Sequence, residues 1–420
     1  MTISTEPESH NAIDAIWRIE SARIIGGLTR IVGDIDLAEE LAGDALVAAL
    51  QQWPRTGVPD NPGAWLMATA KRRAIDQYRR FKTLERKQIE IGHALEEEQA
   101  RSGDVLDAAL DDPVGDDMLR LIFMTCHPVL AREARVALTL RLIGGLTTDE
   151  IARAFLVADA TIAQRIVRAK RTLNAAQVPF EVPRAVDLPA RLASVLEVIY
   201  LIFNEGYAAT SGTDWIRPAL CEDALRLGRI LTELMPAEPE VHGLVALMEI
   251  QASRTAARTG PQGEPIPLLE QDRARWDHLL IQRGLGALER ATGLGPLGPY
   301  ALQGAIAACH ARARTADETE WARIAALYDA LAQLTPSPVI ELNRAVAVGF
   351  AFGPAAGLEL ANALFTEPAL QGYHLLPAVR ADLLRKLGRL DEARTEFERA
   401  AGLTRNARER QALLERAAAC

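Results

Sequence analysis

The stretch that most constrains this fold runs from Asp34 to Phe81, where two helical patterns of unlike charge flank a turn-rich loop. The first pattern, residues 36 to 53, has an apolar stripe at helical spacing and acidic side chains on another face. The stripe consists of Leu37, Leu41, Ala45 and Ala48, and the acids are Asp36, Glu39, Glu40 and Asp44. Residues 53 to 63 carry three prolines and two glycines, so we expect the helix to give way to a loop at Trp53.

The second pattern begins at Trp65 and becomes strongly basic toward its end. Residues 65 to 87 contain eight lysines and arginines against two acids, a local net charge of +6. Positive charge holds the backbone of a melted DNA strand, and aromatic faces support its unstacked bases. The alternative to nucleic-acid binding is an ordinary pair of amphipathic helices whose basic end is simply exposed to solvent.

The segments DIDLAEELAGDALVAALQQWP and PGAWLMATAKRRAIDQYRR resemble region 2 of the extracytoplasmic-function (ECF) sigma factors of the sigma-70 family. The resemblance implies a helical bundle over residues 1–81 whose acidic helix binds the β′ clamp helices of core RNA polymerase through Asp36, Glu39, Glu40 and Asp44. It also implies that the following loop and helix capture the promoter −10 element through Trp65, Lys71, Arg72, Arg73, Asp76, Tyr78, Arg79 and Arg80. Both roles need accessible surfaces, so carboxylates held in intramolecular ion pairs, together with a basic helix end packed inside the protein, would overturn the proposal.

Residues 82–117 form an acidic linker in this interpretation. Between residues 88 and 117, ten acids face a single arginine, a net charge of −9. A solvated connection is the simplest interpretation. Two alternatives are an acidic strip that threads a basic channel of polymerase, and one that screens neighbouring basic surfaces when polymerase is absent.

Residues 118–177 end in a helix-turn-helix pattern. A hydroxyl of Thr147 or Thr148 caps the first helix, and a second helix is predicted from residue 160 to 174. Its buried side is the series Ile162, Ile166, Ala169 and Leu173. The residues left to reach phosphates and base edges are Thr161, Gln164, Arg165, Arg168 and Arg171.

The segment GGLTTDEIARAFLVADATIAQRIVRAKRTL is similar to sigma region 4. That similarity implies recognition of the −35 element and contact with the β flap of polymerase. Leu156 stands where the family usually has a turn glycine, and Ala163 where it often has a polar or basic contact residue, so the turn geometry and the −35 preference depart from the family pattern.

A proline-rich hinge, residues 178–189, leads into residues 190–420, a succession of Ala- and Leu-rich helices. The segment LGRLDEA at 387–393, followed by Phe397 and Ala400, resembles a tetratricopeptide (TPR) unit in which Gly388 permits close helix approach. Asn204 and Glu205 either cap a helix that stops at Gly206 or form a ligand pair in a groove. No stretch alternates with a period of two for long, so the predicted class is all-α: region 2 bundle, acidic linker, region 4 helix-turn-helix and TPR-like extension.

Together the two modules indicate a sigma factor for promoter recognition, DNA melting and transcription initiation, tuned by its own C-terminal domain. A helix-turn-helix repressor fused to a TPR-like scaffold is the alternative. The expected partners are core RNA polymerase, promoter DNA and a protein or small-molecule ligand of the extension. The net charge of −9 argues against indiscriminate nucleic-acid binding, because only local patches are basic.

Other classes of protein are disfavoured. Four scattered cysteines without a CxxC pair favour reduced thiols and no metal site. No glycine-rich phosphate loop, nucleophile elbow or HExxH motif points to an enzyme, and no cofactor is expected. With no signal peptide and no apolar run of about 18 residues, we expect a cytoplasmic protein that makes no membrane contact.

Overall fold

The computed structural model describes residues 6–89, 114–155, 157–207, 216–261, 264–404 and 406–420, without the side chains of residues 6–11, 77–89, 114–116 and 153. It confirms the all-α class, because these ranges contain eighteen α-helices and no strand beyond one isolated bridge between Thr259 and Pro265. The chain divides into two compact units, Met1–Val198 and Ile199–Cys420. In the described ranges, no helix is both long and apolar enough to cross a bilayer.

The first unit comprises a bundle and a helix-turn-helix. Its helices are α1 Glu6–Val32, α2 Ile35–Thr56, α3 Pro62–Ile89, α4 Val114–Thr125, α5 Arg132–Leu142, α6 Thr148–Phe155, α7 Asp159–Ala175 and the first half of α8, Leu188–Tyr207. Helix α1 packs against α2, α3 and α4, and its Ile24 and Leu28 are almost fully buried. Helix α2 begins after Asp34, whose carboxylate accepts hydrogen bonds from the backbone N–H groups of Asp36 and Leu37 at 2.7 and 3.0 Å.

Several boundaries of the bundle differ from the sequence predictions. Helix α2 continues through Pro54 to Thr56, because a proline in the last turns of a helix removes only one hydrogen bond while buried Trp53 anchors that end. Helix α3 begins at Pro62, three residues before the predicted Trp65, since proline suits the first helical position and Asn61 caps Ala64. Helix α1 begins at Glu6 and ends at Val32.

Asp117 is a further correction, because the composition assigned it to the acidic linker. It lies instead on α4, 3% exposed, where Arg30 donates to its carboxylate at 3.0 Å and Arg120 donates at 3.0 Å. A buried carboxylate is stable only when it is paired, and two guanidinium groups supply that pairing. Of the predicted linker, residues 82–89 belong to α3 and residues 114–116 belong to α4. Residues 90–113 lie outside the described residues.

The helix-turn-helix follows the sequence prediction closely. Thr147 and Glu150 cap α6 reciprocally: the Glu150 carboxylate accepts from the Thr147 backbone N–H at 2.8 Å, and the Thr147 hydroxyl accepts from the Glu150 N–H at 3.2 Å. Helix α7 extends from Asp159 to Ala175, one residue beyond the prediction at each end. The stripe of Ile162, Ile166, Ala169 and Leu173 is buried, as predicted.

The second unit stacks helices that pack mainly on their neighbours in the chain, as in helical repeat proteins. After α8 they are α9 Pro218–Leu234, α10 Pro239–Ala252, α11 His278–Leu294, α12 Pro299–Arg312, α13 Trp321–Leu334, α14 Pro338–Ala351, α15 Pro354–Ala363, α16 Leu375–Lys386, α17 Leu390–Leu403 and α18 Ala407–Ala418. Five of these begin with proline at the first position, where its missing N–H has no intrahelical partner to lose.

Two glycines of this unit act differently from the sequence predictions. Gly388 has a φ of +73°, and no atom lies within 4 Å of the position a Cβ would take, so it makes the left-handed turn between α16 and α17 rather than a close helix contact. Gly206 does not stop its helix, which continues to Tyr207. A Cβ there would lie 2.7 Å from the backbone nitrogen of Cys221, so glycine is needed for the close approach of α9. Neighbouring Glu205 is neither a cap nor half of a free ligand pair, because it forms an ion pair with Arg217.

Candidate polymerase and promoter surfaces

The acidic residues of α2 share one face of the helix, but most of them are already paired within the unit. The ammonium group of Lys170 on α7 donates to Asp36 at 2.7 Å and to Glu39 at 2.5 Å. Arg141 of α5 donates to the other oxygen of Glu39 at 2.7 Å. Glu40 is exposed and forms no ion pair with any described residue.

The pairing at Glu39 is strong enough to reverse the effect of burial. Burial raises the pKa of the Glu39 carboxyl, but the charges and hydrogen bonds of Lys170 and Arg141 outweigh it and hold the pKa below its ordinary value. For Lys170, burial lowers the pKa, but the charges and hydrogen bonds of Glu39 and Asp36 raise it by more than burial lowers it. The pKa of Lys170 is therefore above its ordinary value. Glu39 and Lys170 are therefore both charged near neutral pH, and their contact is an ion pair.

Lys170 was not among the residues predicted to form a site. Its side chain is 9% exposed and lies on the buried side of α7, next to Ala169 and three residues before Leu173. A lysine flanking the apolar stripe of a recognition helix was the available signal, because such a residue cannot stay charged there without an acidic partner.

The first half of α3 presents the predicted −10 surface. Trp65 lies edge-on to Trp53, with ring centroids 5.2 Å apart, which joins the start of α3 to the end of α2. Arg72 and Asp76 are exposed and Lys71 is half-buried, whereas Arg73 donates to Asp44 at 2.7 Å. The predicted residues Tyr78, Arg79 and Arg80 belong to α3, but their side chains lie outside the described residues.

The predicted recognition face of α7 is mostly accessible. Gln164, Arg168 and Arg171 are exposed, and Thr161 and Arg165 are half-buried. Guanidinium and amide groups on one exposed helix face are the donors and acceptors that read base edges in a major groove. Leu156, where the turn departs from the family pattern, lies outside the described residues.

The bundle and the helix-turn-helix pack directly against each other. Arg18 of α1 forms an ion pair with Glu150 of α6. Gly145, with a φ of +71°, lies so close to α1 that a Cβ would meet the Ser21 hydroxyl at 3.1 Å and the Arg18 Cα at 3.2 Å. The acidic face of α2 therefore lies against the basic helix-turn-helix in this conformation.

An acidic helix face, a basic helix with aromatic anchors and an exposed recognition helix define a transcription protein that combines a helical bundle with a helix-turn-helix. Family models agree: sigma-70 region 2 matches residues 19–83 and sigma-70 region 4 matches residues 120–173. A family of unknown function, DUF6596, matches residues 191–292. The chain belongs to the ECF-type sigma factors of the sigma-70 family, with a C-terminal extension.

Two relatives illustrate the family. An uncharacterized protein of Rhizobium meliloti strain 1021 is 44% identical over 386 residues, covering 92% of this chain and 90% of the relative. A probable ECF RNA polymerase sigma factor, SigI, of Mycobacterium tuberculosis is 28% identical over 176 residues, covering 42% of this chain and 59% of the relative.

The family settles the general function. The protein is an RNA polymerase sigma factor, and the repressor alternative is not favoured. Its partners are RNA polymerase and promoter DNA, and the sigma families are not families of enzymes. Among the described residues, no three His, Cys, Asp or Glu side chains form a group able to hold a metal ion.

Proposed function

We propose that the acidic face of α2 binds the β′ clamp helices of core polymerase, that α3 captures the −10 element, and that α7 reads the −35 element beside the β flap. The observation that carries the first assignment is the row of carboxylates on one face of α2. Asp36, Glu40 and Asp44 are exposed, although Asp36 pairs with Lys170 and Asp44 pairs with Arg73. The sigma region 2 match also supports this assignment. The aromatic pair at the start of α3 and the basic residues that follow it support the second assignment, to the −10 element. The protein acts in the cytoplasm in this proposal, and its extension tunes its activity.

The ion pairs of α2 add a condition to the proposed docking. Lys170 and Arg141 occupy Glu39 and one oxygen of Asp36, so the helix-turn-helix competes for the carboxylates that polymerase would bind. The proposed role therefore requires the helix-turn-helix to leave α2 when polymerase binds. The arm from Lys170 to Asp36 exchanges readily, because Asp36 is exposed and water and salt compensate for most of its energy, whereas the more buried arm from Lys170 to Glu39 has to be broken at a cost.

Glu40 offers the cleanest test of polymerase docking, because it is exposed and unpaired among the described residues. Glu40→Lys should weaken binding to purified core enzyme and reduce run-off transcription, while circular dichroism and thermal unfolding stay unchanged. Asp14→Lys, an exposed charge reversal on α1, is the matched control. Equal core binding by wild type, Glu40→Lys and Asp14→Lys would remove the α2 assignment.

The role of the extension is tested by comparing the full chain with a truncated one. The truncation should follow Val198, where the first compact unit ends, rather than Gln177. We expect both proteins to bind core enzyme but to differ in run-off transcription and in activity in the cell. Identical activities would show that the extension does not regulate the sigma factor.

A further inference from the structure

A polar cavity of about 250 Å³ lies inside the C-terminal unit, between α8, α10, α12, α13 and α14. Its lining includes Arg254, Trp276, His310 and Tyr328. A second cavity of about 350 Å³ shares His310 and Tyr328 with it and adds Trp321 and Phe350. The cavities lie outside the two sigma regions, and the family matched by residues 191–292 is one of unknown function, so neither gives them a ligand.

The first cavity carries positive charge without a matching acid. Arg254 is the only charged residue among those that line it, and it forms no ion pair with any described residue. Its guanidinium donates to the Tyr207 hydroxyl at 2.5 Å and lies 5.9 Å from the centre of the Trp276 ring. Arg273 stacks on the same ring at 4.8 Å and donates to the Ala313 carbonyl oxygen at 2.8 Å, so a second guanidinium adds to the field.

Two residues that line this cavity carry a buried ring nitrogen to which no described residue supplies a hydrogen-bond partner. Trp276 is 4% exposed, and its Nε1 has no acceptor among the described residues. Nδ1 of His310 is also buried and unpartnered. Leaving a buried polar group unpaired is unfavourable, and a ligand atom that accepts a hydrogen bond would remove that cost.

His310 is a neutral partner at physiological pH. Burial, with the nearby charges of Arg254 and Arg273, lowers its pKa to about 4. A neutral imidazole can donate or accept at Nδ1, so it suits a polar ligand group without adding a charge of its own.

A flat apolar wall continues from the polar end into the second cavity. Trp321 stacks on Phe350 with ring centroids 4.2 Å apart and planes 12° apart, and the His310 ring lies edge-on to Trp321 at 5.2 Å. Tyr328 and His310 line both spaces, and the lining of the second cavity also includes the charged residues Glu270, Asp382 and Lys386. Aromatic walls with a few polar groups at one end are typical of small-molecule sites.

We propose that this pair of cavities binds a small organic carboxylate with a flat, apolar body. The carboxylate accepts hydrogen bonds from Arg254 and Trp276, and the body lies along His310, Tyr328 and Trp321. A guanidinium without an acidic partner selects an anion over a neutral isostere, because the charge-assisted bond is the stronger one. The volume admits a single-ring acid.

The test uses the full-length protein without polymerase, so its outcome is independent of the proposed docking to core enzyme. Benzoate and phenylacetate are titrated against intrinsic tryptophan fluorescence and thermal unfolding, with benzamide as the uncharged isostere of benzoate. We expect saturable binding of the acids and at least about tenfold weaker binding of benzamide. Absence of saturable carboxylate binding up to about 10 mM, or equal binding of benzamide, would overturn the proposal.

Variants locate the binding to the cavity. Arg254→Gln should weaken benzoate binding by about tenfold or more, whereas Arg290→Gln, an exposed arginine on α11, should bind as wild type does. Arg254→Lys keeps the charge and should retain part of the affinity, which preserves the test if the glutamine variant fails to fold. Unchanged benzoate affinity in a folded Arg254→Gln protein, or equal losses in Arg254→Gln and Arg290→Gln, would place the binding elsewhere.

Discussion

Replacing Lys170 with methionine tests directly whether the helix-turn-helix restrains the acidic face of α2. Methionine keeps the apolar stem that packs on α7 and removes the charge that holds Asp36 and Glu39. In the proposed mechanism, this change frees the carboxylates for polymerase without altering any residue of α2.

The magnitude follows from how far each arm of the contact is buried. The Asp36 side chain is 55% exposed, so its arm contributes less than about 1 kcal/mol. The Glu39 and Lys170 side chains are 18% and 9% exposed, and a charged hydrogen bond of that kind contributes about 1.5–3 kcal/mol. Arg141 still holds Glu39 in the Lys170→Met variant, so the lower part of this range applies. We therefore expect the contact between α2 and α7 to be weakened by about 2 kcal/mol.

The assay is fluorescence anisotropy of labelled protein titrated with core polymerase in the absence of DNA. A weakening of about 2 kcal/mol shifts the equilibrium between covered and free α2 by roughly thirtyfold, so the apparent affinity should rise by up to that factor. Arg168→Met is the matched control, since Arg168 is an exposed residue of the same helix. Equal affinities of wild type, Lys170→Met and Arg168→Met for core enzyme would refute the competition between α7 and polymerase.

Three further outcomes are expected. Arg165→Ala or Arg168→Ala should weaken recognition of a −35-dependent promoter by ~1–3 kcal/mol for a base-edge contact, with exposed Asn174→Ala as control; unchanged run-off transcription in both would mean that the recognition face is misassigned. Because the pKa of Glu39 is depressed in the folded protein, its stabilisation is complete above the ordinary value of 4.5 and lost as pH falls, so thermal unfolding between about pH 3 and 5 should depend less on pH in Glu39→Gln than in wild type. A chain ending at Gln177 should have a free energy of unfolding at least about 3 kcal/mol lower than one ending at Val198, because it loses three contacts. Ser194 donates to the Cys126 carbonyl oxygen at 2.6 Å, Arg191 donates to the Phe123 carbonyl oxygen at 2.8 Å, and Glu197 forms an ion pair with Arg135. Equal denaturant midpoints of the two chains would contradict this.

Local patterns in the sequence were sufficient for the helix-turn-helix. The Thr147–Glu150 cap and the stripe from Ile162 to Leu173 are set by residues three to four positions apart, and helical geometry then places them. The acidic and basic helices of the bundle were recognisable for the same reason. Their ends were less predictable, since Pro54 stays helical when buried Trp53 anchors the last turn.

Long-range contacts were beyond the reach of periodicity. Lys170 and Glu39 are 131 positions apart, and nothing in either helix alone shows that they meet. The same holds for buried Asp117, whose partner Arg30 lies on α1, and for Gly206, whose role depends on the approach of α9. Each of these features is fixed by tertiary packing, which also decides whether a charge is solvated or enclosed.

The contact between α2 and α7 also limits how much promoter the protein can span at once. If α3 and α7 read the −10 and −35 elements, their targets lie about two dozen base pairs apart, roughly 80 Å at 3.4 Å per pair. With Lys170 only 2.7 Å from Asp36, the two reading helices stay within one compact unit and cannot straddle that distance. Binding of both promoter elements by α3 and α7 thus requires Asp36 and Glu39 to separate from Lys170. That separation also exposes the face of α2 that is proposed to bind polymerase.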